Sequence, residues 1–448
     1  NNNFIYFFSQ NKKSEGIIMS FILLLGVMFI LTVLGLPLFY SIIFSSIITL
    51  FIFLPYIPVT IVAQQVMQGL DTNALQALAF FFLAGELMSV GGITNRIIRF
   101  VTSLIGRWKG SLAYINIFSS LFFGSISGSA VASTAAIGSS LIPEMKKQGY
   151  PSAFSAALTQ SASIIGPIIP PSVPMIVFAA LAGSGVSVGK MFMSGIIPGV
   201  MIALTLILVA FVLSKIYRYG SNPVSFSWKE VKNSAKDAIL ALFCPIIILF
   251  GIISGIFTAT EAGAVSVIYA YLVGTFVYKE LSFELLKKAL ISSLKGTITV
   301  MLIVGASSIF AWMIARLQIS HQVATWVSAV CDNPIQALLL INFIVLFIGM
   351  IMDPTAALTI LVPVFMPIIN QFGISPIHFG LVIILNLMIG LVTPPVGYLI
   401  YLSANIAECE PIKVLKSSIP FLLSLLGLLI LLILVPEFST FLPNILFQ

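Results

Sequence analysis

One acidic residue lies where an ion or a charged substrate could bind. Asp353 interrupts a long apolar run, FIGMIMDPTAALTILV, and is followed by Pro354 and Thr355. A carboxylate inside apolar sequence is costly in a membrane, and such residues generally mark ion or substrate pathways. Asp followed by Pro is also typical of a helix N-terminus. We therefore expect Asp353 to bind a cation or substrate, with capping of the next helix as the alternative.

A segment upstream carries small polar residues in place of that acid. The run Gly124-Ser-Ile-Ser-Gly-Ser129 includes Ser125 and Ser127 and stands between two apolar stretches. Hydroxyl and carbonyl oxygens are the ligands that a hard cation takes. Small residues are also typical of close helix packing. The run alone leaves both interpretations open.

Each of these segments is followed by a proline-rich bend. The first bend is Gly166-Pro-Ile-Ile-Pro-Pro-Ser172 and the second is Gly390-Leu-Val-Thr-Pro-Pro395. Proline removes a donor and clashes with the preceding turn, so neither bend can be continuous α-helix. Unpaired backbone survives inside a membrane only where it lines a cavity or is buried in protein. A serine-rich tip that faces an unwound bend is therefore a candidate sodium cage.

The two tip-and-bend segments are copies of one design. Pro143 and Pro367 are 224 residues apart (367 − 143), and the same offset relates Gly166 to Gly390 and the proline pairs of the two bends. Identity elsewhere is low, so it is the placement of helix breakers that repeats. Discontinuous helices at matching positions of two halves indicate a secondary transporter.

The composition restricts the chain to a membrane protein with many spans. It has 448 residues, 59% of them hydrophobic and 8% charged, with a mean hydropathy of +1.14. No water-soluble core of this length has such a composition. The net charge of +7 does not indicate a nucleic-acid partner, because the 21 basic residues lie in short loops between apolar runs.

The sequence also argues against an enzyme. The three cysteines are far apart, and the two histidines are separated by 57 residues (378 − 321), so no metal-ligand spacing occurs. No second acid is placed to pair with Asp353, and neither an H-E-x-x-H motif nor a G-x-x-x-x-G-K loop is present. Discontinuous helices suit alternating access better than the continuous pore of a channel. We expect no catalysis, no organic cofactor and no direct ATP drive.

Positive charge in the loops predicts that the two halves are inverted. Arg96, Arg99, Arg107 and Lys109 crowd one loop, whereas the corresponding 320–333 has no Lys or Arg. Two further pairs of corresponding loops show the same opposition. Positive loops mark the cytoplasmic side, so the same elements lie on opposite faces. By this rule the cytoplasmic segments are 94–110, 144–150, 215–237, 279–295 and 408–416, and the external ones are 55–73, 317–334, 370–376 and the C-terminus.

The expected fold is an all-α polytopic membrane protein with inverted-topology repeats, two helical hairpins and two discontinuous helices. We place the repeats at 19–214 and 238–436, with a cytoplasmic linker at 215–237 between them. Residues 1–18 are either a tail or connector from an upstream fused subunit or a plain leader. The remaining segments are hairpins at 111–142 and 335–369, broken helices at 153–182 and 377–406, a final span at 418–435 and a C-terminal tail at 437–448.

Three charged residues outside the hairpins have two interpretations each. Glu86, in FFLAGELMSVGG, and Glu261, in GIFTATEAGAV, are either proton or ion sites or structural hydrogen-bonding groups. Arg316 ends a span on the predicted external side. It either docks an acidic partner or extends to lipid phosphates.

The motifs resemble those of a known family. The serine/glycine tip followed by GPIIPPS, the TEAGAV segment and the TPPVG bend are similar to the large membrane subunit of tripartite ATP-independent periplasmic (TRAP) transporters, over roughly 20–436. The resemblance implies a sodium-driven, elevator-type importer in the bacterial inner membrane. It also implies a small four-span membrane subunit, fused upstream in some members, and a periplasmic binding protein that delivers an organic acid. Overall similarity is greatest to the sialic acid branch, although no single residue encodes the substrate.

The resemblance also implies which residues bind the cations and the substrate. We expect two or more sodium ions, and we expect substrate contacts from Ser127, Ser129 and Asp353. Because Ser129 corresponds to Asp353 and Ile169 to Thr393, the two cation sites are not identical. The implied cation ligands are Ser125, Ser127, Gly166, Ile169 and Pro170 in one half, and Asp353, Thr355, Gly390, Thr393 and Pro394 in the other.

In an elevator the hairpins and broken helices move together. The spans around 20–54, 193–217, 238–278 and 418–435 would then form the fixed scaffold. The alternative function is a stand-alone sodium/dicarboxylate symporter of the divalent-anion type, which a requirement for a binding protein would distinguish.

Overall fold

The protein is built from helices. The computed structural model describes residues 2–108, 110–183, 185–217, 219–220 and 227–447, without the side chains of 2–15, 17, 18 and 73. The described residues form α-helices and one π-helical turn, Val273–Val277, and no strand. The predicted all-α polytopic fold is therefore confirmed. The helices are α1 (Asn2–Val33), α2 (Leu38–Phe53), α3 (Thr60–Leu70), α4 (Asn73–Val90), α5 (Ile93–Ile105), α6 (Ser111–Ser127), α7 (Ala130–Lys147), α8 (Ser152–Ser163), α9 (Val173–Ala182), α10 (Val188–Tyr217), α11 (Trp228–Ile253), α12 (Ala259–Leu272), α13 (Phe283–Arg316), α14 (Ile319–Val330), α15 (Pro334–Gly349), α16 (Pro354–Gln371), α17 (Pro376–Gly390), α18 (Tyr398–Ala407), α19 (Pro411–Leu434) and α20 (Glu437–Leu446).

Many of these helices can cross a membrane. Among the described residues, six helices are long and apolar enough, and up to eight spans result if each of two bent pairs counts as one. The bent pairs are α3 with α4, at 57°, and α14 with α15, at 119°. The protein is thus a multi-pass membrane protein. The six long helices are α10, α11, α12 with its π-helical extension, α13, α16 and α19.

Corresponding helices of the two halves begin at nearly constant spacing. α7 begins at Ala130 and α16 at Pro354, and α8 begins at Ser152 and α17 at Pro376. Both pairs keep the offset of 224 found in the sequence (354 − 130 and 376 − 152). The straight helix α13 corresponds by this offset to the bent pair α3 and α4. The inverted orientation of the halves depends on the loop charges and stays a prediction.

The hairpins and broken helices of the two halves pack on one another. α8 contacts α6 and α7 of its own half and α18 of the other, and α16 contacts α9 as well as α17. At their centre the Gln160 amide donates to Ser418 Oγ at 2.7 Å and accepts from Ser403 Oγ at 3.0 Å. All three side chains are buried. This polar contact joins α8 to α18 and α19 across the two halves.

The contacts of the remaining helices do not separate the expected scaffold spans from the hairpins, and which spans stay fixed during transport stays a prediction. α4 packs on α12 and α13, and α11 packs on α5 and α12. The spans 193–217 and 418–435, expected in the scaffold, are α10 and α19. α10 packs on α6, α8 and α17, and α19 packs on α8 and α17. Contacts therefore group α10 and α19 with the hairpins. Both are continuous apolar helices, so nothing in their sequence distinguishes the two placements.

The polar segments between and after the repeats are more helical than expected. Residues 215–217 end α10, and 228–237 form the first turns of α11, so the linker expected at 215–237 is shorter. Residues 218 and 221–226 lie outside the described residues. The expected tail at 437–448 contains α20, which packs on α10 and α17, with Ser439 Oγ 2.7 Å from His378 Nδ1. The prediction for 1–18 falls mostly on residues whose side chains lie outside the described part of the chain.

Candidate functional site

A cavity of about 660 Å³ separates the two hairpin tips from α13. Gly128 and Ser129 line it from the first tip, and Asp353 and Thr355 line it from the second. Its size falls within the range of about 300–1,000 Å³ that is usual for small-molecule sites. The two predicted tips therefore meet at one space that could hold a substrate.

The first tip is a tight turn between α6 and α7. Ser129 Oγ accepts a hydrogen bond from Ala132 N–H at 3.3 Å and so caps α7. Ser127 Oγ accepts from Ser129 N–H at 3.4 Å. Gly128 has a φ of +60°, and a Cβ there would lie 2.7 Å from Pro171 O, so glycine is required where the tip meets the bend. Ser129 lines the cavity, whereas Ser127, next to the lining residue Gly128, does not.

The second tip places Asp353 at the start of α16. Asp353 Oδ1 accepts from Thr355 N–H at 2.9 Å and from Ala356 N–H at 3.4 Å. The capping interpretation is therefore correct. The side chain is also exposed and lines the cavity, so capping does not exclude ligand binding.

The first bend leaves backbone oxygens without partners. Gly166 N–H donates to Ser163 O at 3.2 Å and Ile169 N–H to Ile165 O at 2.9 Å. The carbonyls of Gly166, Ile169 and Pro170 accept no hydrogen bond from any described residue. The Pro170–Pro171 peptide is cis. Carbonyls freed in this way can coordinate a hard cation.

The second bend has the same construction with one hydroxyl added. Thr393 N–H donates to Gly390 O at 3.0 Å, and Thr393 Oγ1 donates to Ile389 O at 2.6 Å. The carbonyls of Thr393 and Pro394 accept no hydrogen bond from the described part of the chain. The Pro394–Pro395 peptide is also cis. Gly397 N–H reaches Met350 O of the second tip at 3.4 Å, which joins this bend to its hairpin.

Glycines let each hairpin touch its bend directly. A Cβ on Gly124 would lie 2.5 Å from Gly166 Cα, and a Cβ on Gly390 would lie 2.6 Å from Gly349 O. Real Cβ atoms essentially never come so close to backbone. The predicted ligands Gly166 and Gly390 are thus also contact points, and at Gly124 and Gly390 only glycine fits.

The donor set suits a small hard cation. No group of three or more His, Cys, Asp or Glu side chains that could hold a metal occurs among the described residues, which leaves neutral oxygens. Ser125 Oγ, like Thr393 Oγ1, donates its proton to a backbone carbonyl, Phe122 O at 2.7 Å, and keeps its lone pairs. Free carbonyls, hydroxyls and one carboxylate are ligands that fit Na⁺ better than a transition metal.

The sequence analysis did not identify the residues that line the cavity opposite the hairpin tips. α13 contributes Lys295, Thr299 and Ile303 to the cavity, and α4 contributes Phe82. The loop charges predict Lys295 at the end of a cytoplasmic segment, but it lies inside α13. The segment SSLKGTITVML contains a signal that could have indicated this. Its lysine is surrounded by small and apolar residues, and the apolar sequence continues well beyond it.

The other charged candidates lie apart from the cavity. Glu261 Oε2 accepts from Thr258 N–H at 2.8 Å and completes a capping box at the start of α12, which supports its structural interpretation. Glu86 is half-buried in α4. Arg316 is the exposed last residue of α13, where a cation is favourable at the helix C-terminus.

Comparison with known proteins identifies the family. Residues 25–438 match the family described as "Tripartite ATP-independent periplasmic transporter, DctM component". The chain belongs to this family. The DctM-family protein is therefore a transporter component and not an enzyme, and the resemblance to the large TRAP subunit is confirmed.

Individual relatives cover nearly the whole DctM-family chain. The sialic acid TRAP transporter large permease SiaM of Vibrio cholerae is 38% identical over 92% of this chain and 95% of its own length. The C4-dicarboxylate permease DctM of Pseudomonas aeruginosa is 37% identical, over 83% and 86%. The sialic acid TRAP permease SiaT of Haemophilus influenzae is 36% identical, over 86% of this chain and 62% of its own length.

A solved structure shares the fold. The YdaH transporter of Alcanivorax borkumensis, described as having an unusual topology, superposes with a TM-score of 0.60 over 84% of this chain and 87% of its own. Its sequence identity is 15%, so the likeness concerns the fold alone.

Proposed function

We propose that this chain is the large permease of a sodium-driven importer of an organic acid, with sialic acid as the first candidate substrate. The observation that carries the proposal is the cavity of about 660 Å³ lined by both hairpin tips, beside two bends with free backbone oxygens. The names of two relatives, for sialic acid and for C4-dicarboxylates, both denote carboxylic acids. A carboxylic acid is the chemistry that these substrates share.

Sodium binding would fix each tip against its bend. The first site would use Ser125, Ser127 and the carbonyls of the first bend. The second would use Asp353, Thr355 and the carbonyls of the second bend. A bound cation satisfies oxygens that otherwise lack partners, so it favours the closed arrangement of tip and bend. Substrate bound between the tips then travels with both ions in an elevator movement of the hairpins and broken helices.

The proposed partners are a small four-span membrane subunit and a periplasmic substrate-binding protein. The family description, a component of a tripartite system, supports two further components. SiaT of H. influenzae is longer than the region matched here, which is consistent with fusion of a second subunit in that relative. The proposed location is the bacterial inner membrane, with the binding protein on the periplasmic side.

Uptake into proteoliposomes tests the proposal. The chain, its small subunit and the binding protein are assayed with labelled sialic acid under an inward sodium gradient. Potassium replaces sodium in one control, and the binding protein is omitted in another. We expect uptake only with both sodium and the binding protein.

Two results would change the proposal in different ways. Equal uptake in potassium would remove sodium coupling. Sodium-driven uptake without the binding protein would favour the stand-alone symporter. Succinate as competitor separates a sialic acid importer from a dicarboxylate importer, since only the latter should be inhibited at low concentration.

A further inference from the structure

Lys295 is the one basic side chain among the described residues that line the cavity, and Asp353 is the one acidic side chain. The two lie on different walls, α13 and the second hairpin tip. They form no ion pair with each other within 4 Å. The cavity therefore offers a cationic wall and an anionic wall with space between them.

The environment of Lys295 leaves its charge available. It is exposed, and the ion pairs described in this structure do not include it. Other lysines near the predicted cytoplasmic face, such as Lys287 and Lys288, are also absent from these ion pairs, but they do not line the cavity. Lys295 lies 12 residues beyond the start of α13 at Phe283, about 18 Å along the axis at roughly 1.5 Å per residue. This position well inside α13 and in the cavity lining distinguishes it from the loop lysines.

One face of α13 presents polar groups to the cavity. Lys295, Thr299 and Ile303 follow each other at steps of four residues, so they share a face. Thr299 Oγ1 donates to Lys295 O at 2.8 Å, which leaves the hydroxyl oxygen as an acceptor. Gly296 lets this part of α13 approach α4, because a Cβ there would lie only 3.2 Å from the Phe82 ring. Lys295 therefore adjoins a close contact between α13 and α4.

We propose that Lys295 binds the carboxylate of the substrate, while Asp353 and Ser129 on the opposite wall receive its hydroxyl or amide donors. The inference rests on the proposed function and identifies the residue that recognises the substrate carboxylate. An ammonium–carboxylate pair is a charge-assisted hydrogen bond, stronger than a neutral one. Because α13 belongs to neither hairpin, the substrate bridges the hairpins to a separate helix. Uncharged sugars of the same size would lack this contact.

Substitution at Lys295 tests the proposal in the reconstituted complex. We expect Lys295→Gln to raise the KM for sialic acid about tenfold to hundredfold, the usual effect of losing a hydrogen bond between charged groups. Lys295→Arg keeps the charge and should recover most of the affinity. Lys287→Gln is the matched control, since it removes the same charge from the same helix outside the cavity, and its KM should stay within about twofold of wild type.

A binding measurement provides a second readout that does not depend on mutant folding. Sialic acid should raise the unfolding temperature of the wild-type complex, and its neutral methyl ester should need about tenfold more ligand for the same shift. The shift caused by sialic acid should shrink in Lys295→Gln. If the ester stabilises as well as the acid, or if Lys295→Gln keeps a wild-type KM, the inference is wrong while the proposed function stands. A wild-type complex that transports neither sialic acid nor succinate overturns the proposed function and this inference together.

Discussion

At the scale of single residues, Asp353 and Ser129 perform one structural task with different chemistry. Each caps the second arm of its hairpin, and the two positions are 224 residues apart (353 − 129). A neutral hydroxyl is enough to cap α7, so α16 does not need a negative charge for this purpose. The charge of Asp353 is therefore left to interact with a ligand in the cavity that it lines.

Replacing Asp353 by Asn should separate capping from ligand binding. Asn is as good an N-cap as Asp, so Asp353→Asn should leave thermal unfolding nearly unchanged. Sodium affinity should fall roughly tenfold, which corresponds to about 1.4 kcal/mol, because the formal charge is lost. The sodium concentration that gives half-maximal uptake measures this directly.

The control for this variant is Asp332→Asn. Asp332 is exposed and lies outside the cavity, so its replacement should leave sodium dependence as in wild type. An unchanged sodium dependence in Asp353→Asn, at normal expression, would reduce Asp353 to a helix cap.

At the scale of elements, the contact between hairpin and bend depends on pairs of glycines. Gly124 meets Gly166 in the first half, and Gly349 meets Gly390 in the second. Backbone lies against backbone at both points, and a side chain at either would push a hairpin away from its bend. The same residues adjoin the free carbonyls, so packing and the proposed ion binding depend on one geometry.

A methyl group at Gly390 should therefore be damaging. Gly390→Ala places a Cβ against Gly349 backbone atoms, which cannot move aside as a flexible side chain does. We expect a loss of about 1–3 kcal/mol of stability, as for other overpacked sites. Sodium-dependent uptake should fall as well. Thermal unfolding and uptake of the same preparation report the two effects.

Gly427→Ala provides the comparison for this prediction. Gly427 lies in α19 and is exposed, and a Cβ added there would have no neighbouring atom within 4 Å. Ala in a helix interior is normally better than Gly by about 0.5–1 kcal/mol, so this variant should not be less stable. Equal behaviour of the two variants would show that the close approach at Gly390 is unimportant.

The elements that the sequence predicted well are those with local chemical signals. Proline pairs and glycines located both bends, and Asp353-Pro354 located the start of α16. Contacts between helices that are distant in the chain are not marked by any such local signal in the sequence. The placement of α10 and α19, the docking of α20 through Ser439 and the entry of Lys295 into the cavity depend on which helices meet. Apolar helices of similar composition do not encode that choice locally.

At the scale of the whole molecule, two ion pairs near the predicted cytoplasmic face join separate parts of the chain. Arg96 pairs with Glu280 at 2.6 Å, and Arg99 pairs with Glu230 at 2.8 Å. These pairs connect α5 to the loop before α13 and to the start of α11. Exposed pairs of this kind contribute about 1 kcal/mol or less each, so they orient surfaces more than they stabilise the fold. Arg316, at the other end of α13, has no ion pair with a described residue and remains a candidate docking charge.

Reversing the charge of Arg316 should affect partner docking and not ion binding. Rim charges mainly change association rates. Arg316→Glu should therefore reduce uptake at limiting binding-protein concentration, and excess binding protein should restore much of it. Sodium affinity should stay as in wild type. Uptake measured over a range of binding-protein concentrations gives the answer.

Lys287→Glu serves as the control for the same charge reversal on the predicted cytoplasmic side of α13. It should leave the dependence on binding protein unaltered. Wild-type uptake by Arg316→Glu at every concentration would favour lipid contact as the role of Arg316. A loss that excess partner does not relieve, together with weaker sodium binding, would contradict the predicted topology.

The free oxygens of the first bend have a consequence for the choice between sodium and protons as the driving ion. The carbonyls of Gly166, Ile169 and Pro170 and the hydroxyls of Ser125 and Ser127 do not titrate in the physiological range. A proton therefore has no group to occupy there. A chain of this design would use protons in place of the proposed sodium ions only after a carboxylate had been introduced near Gly166.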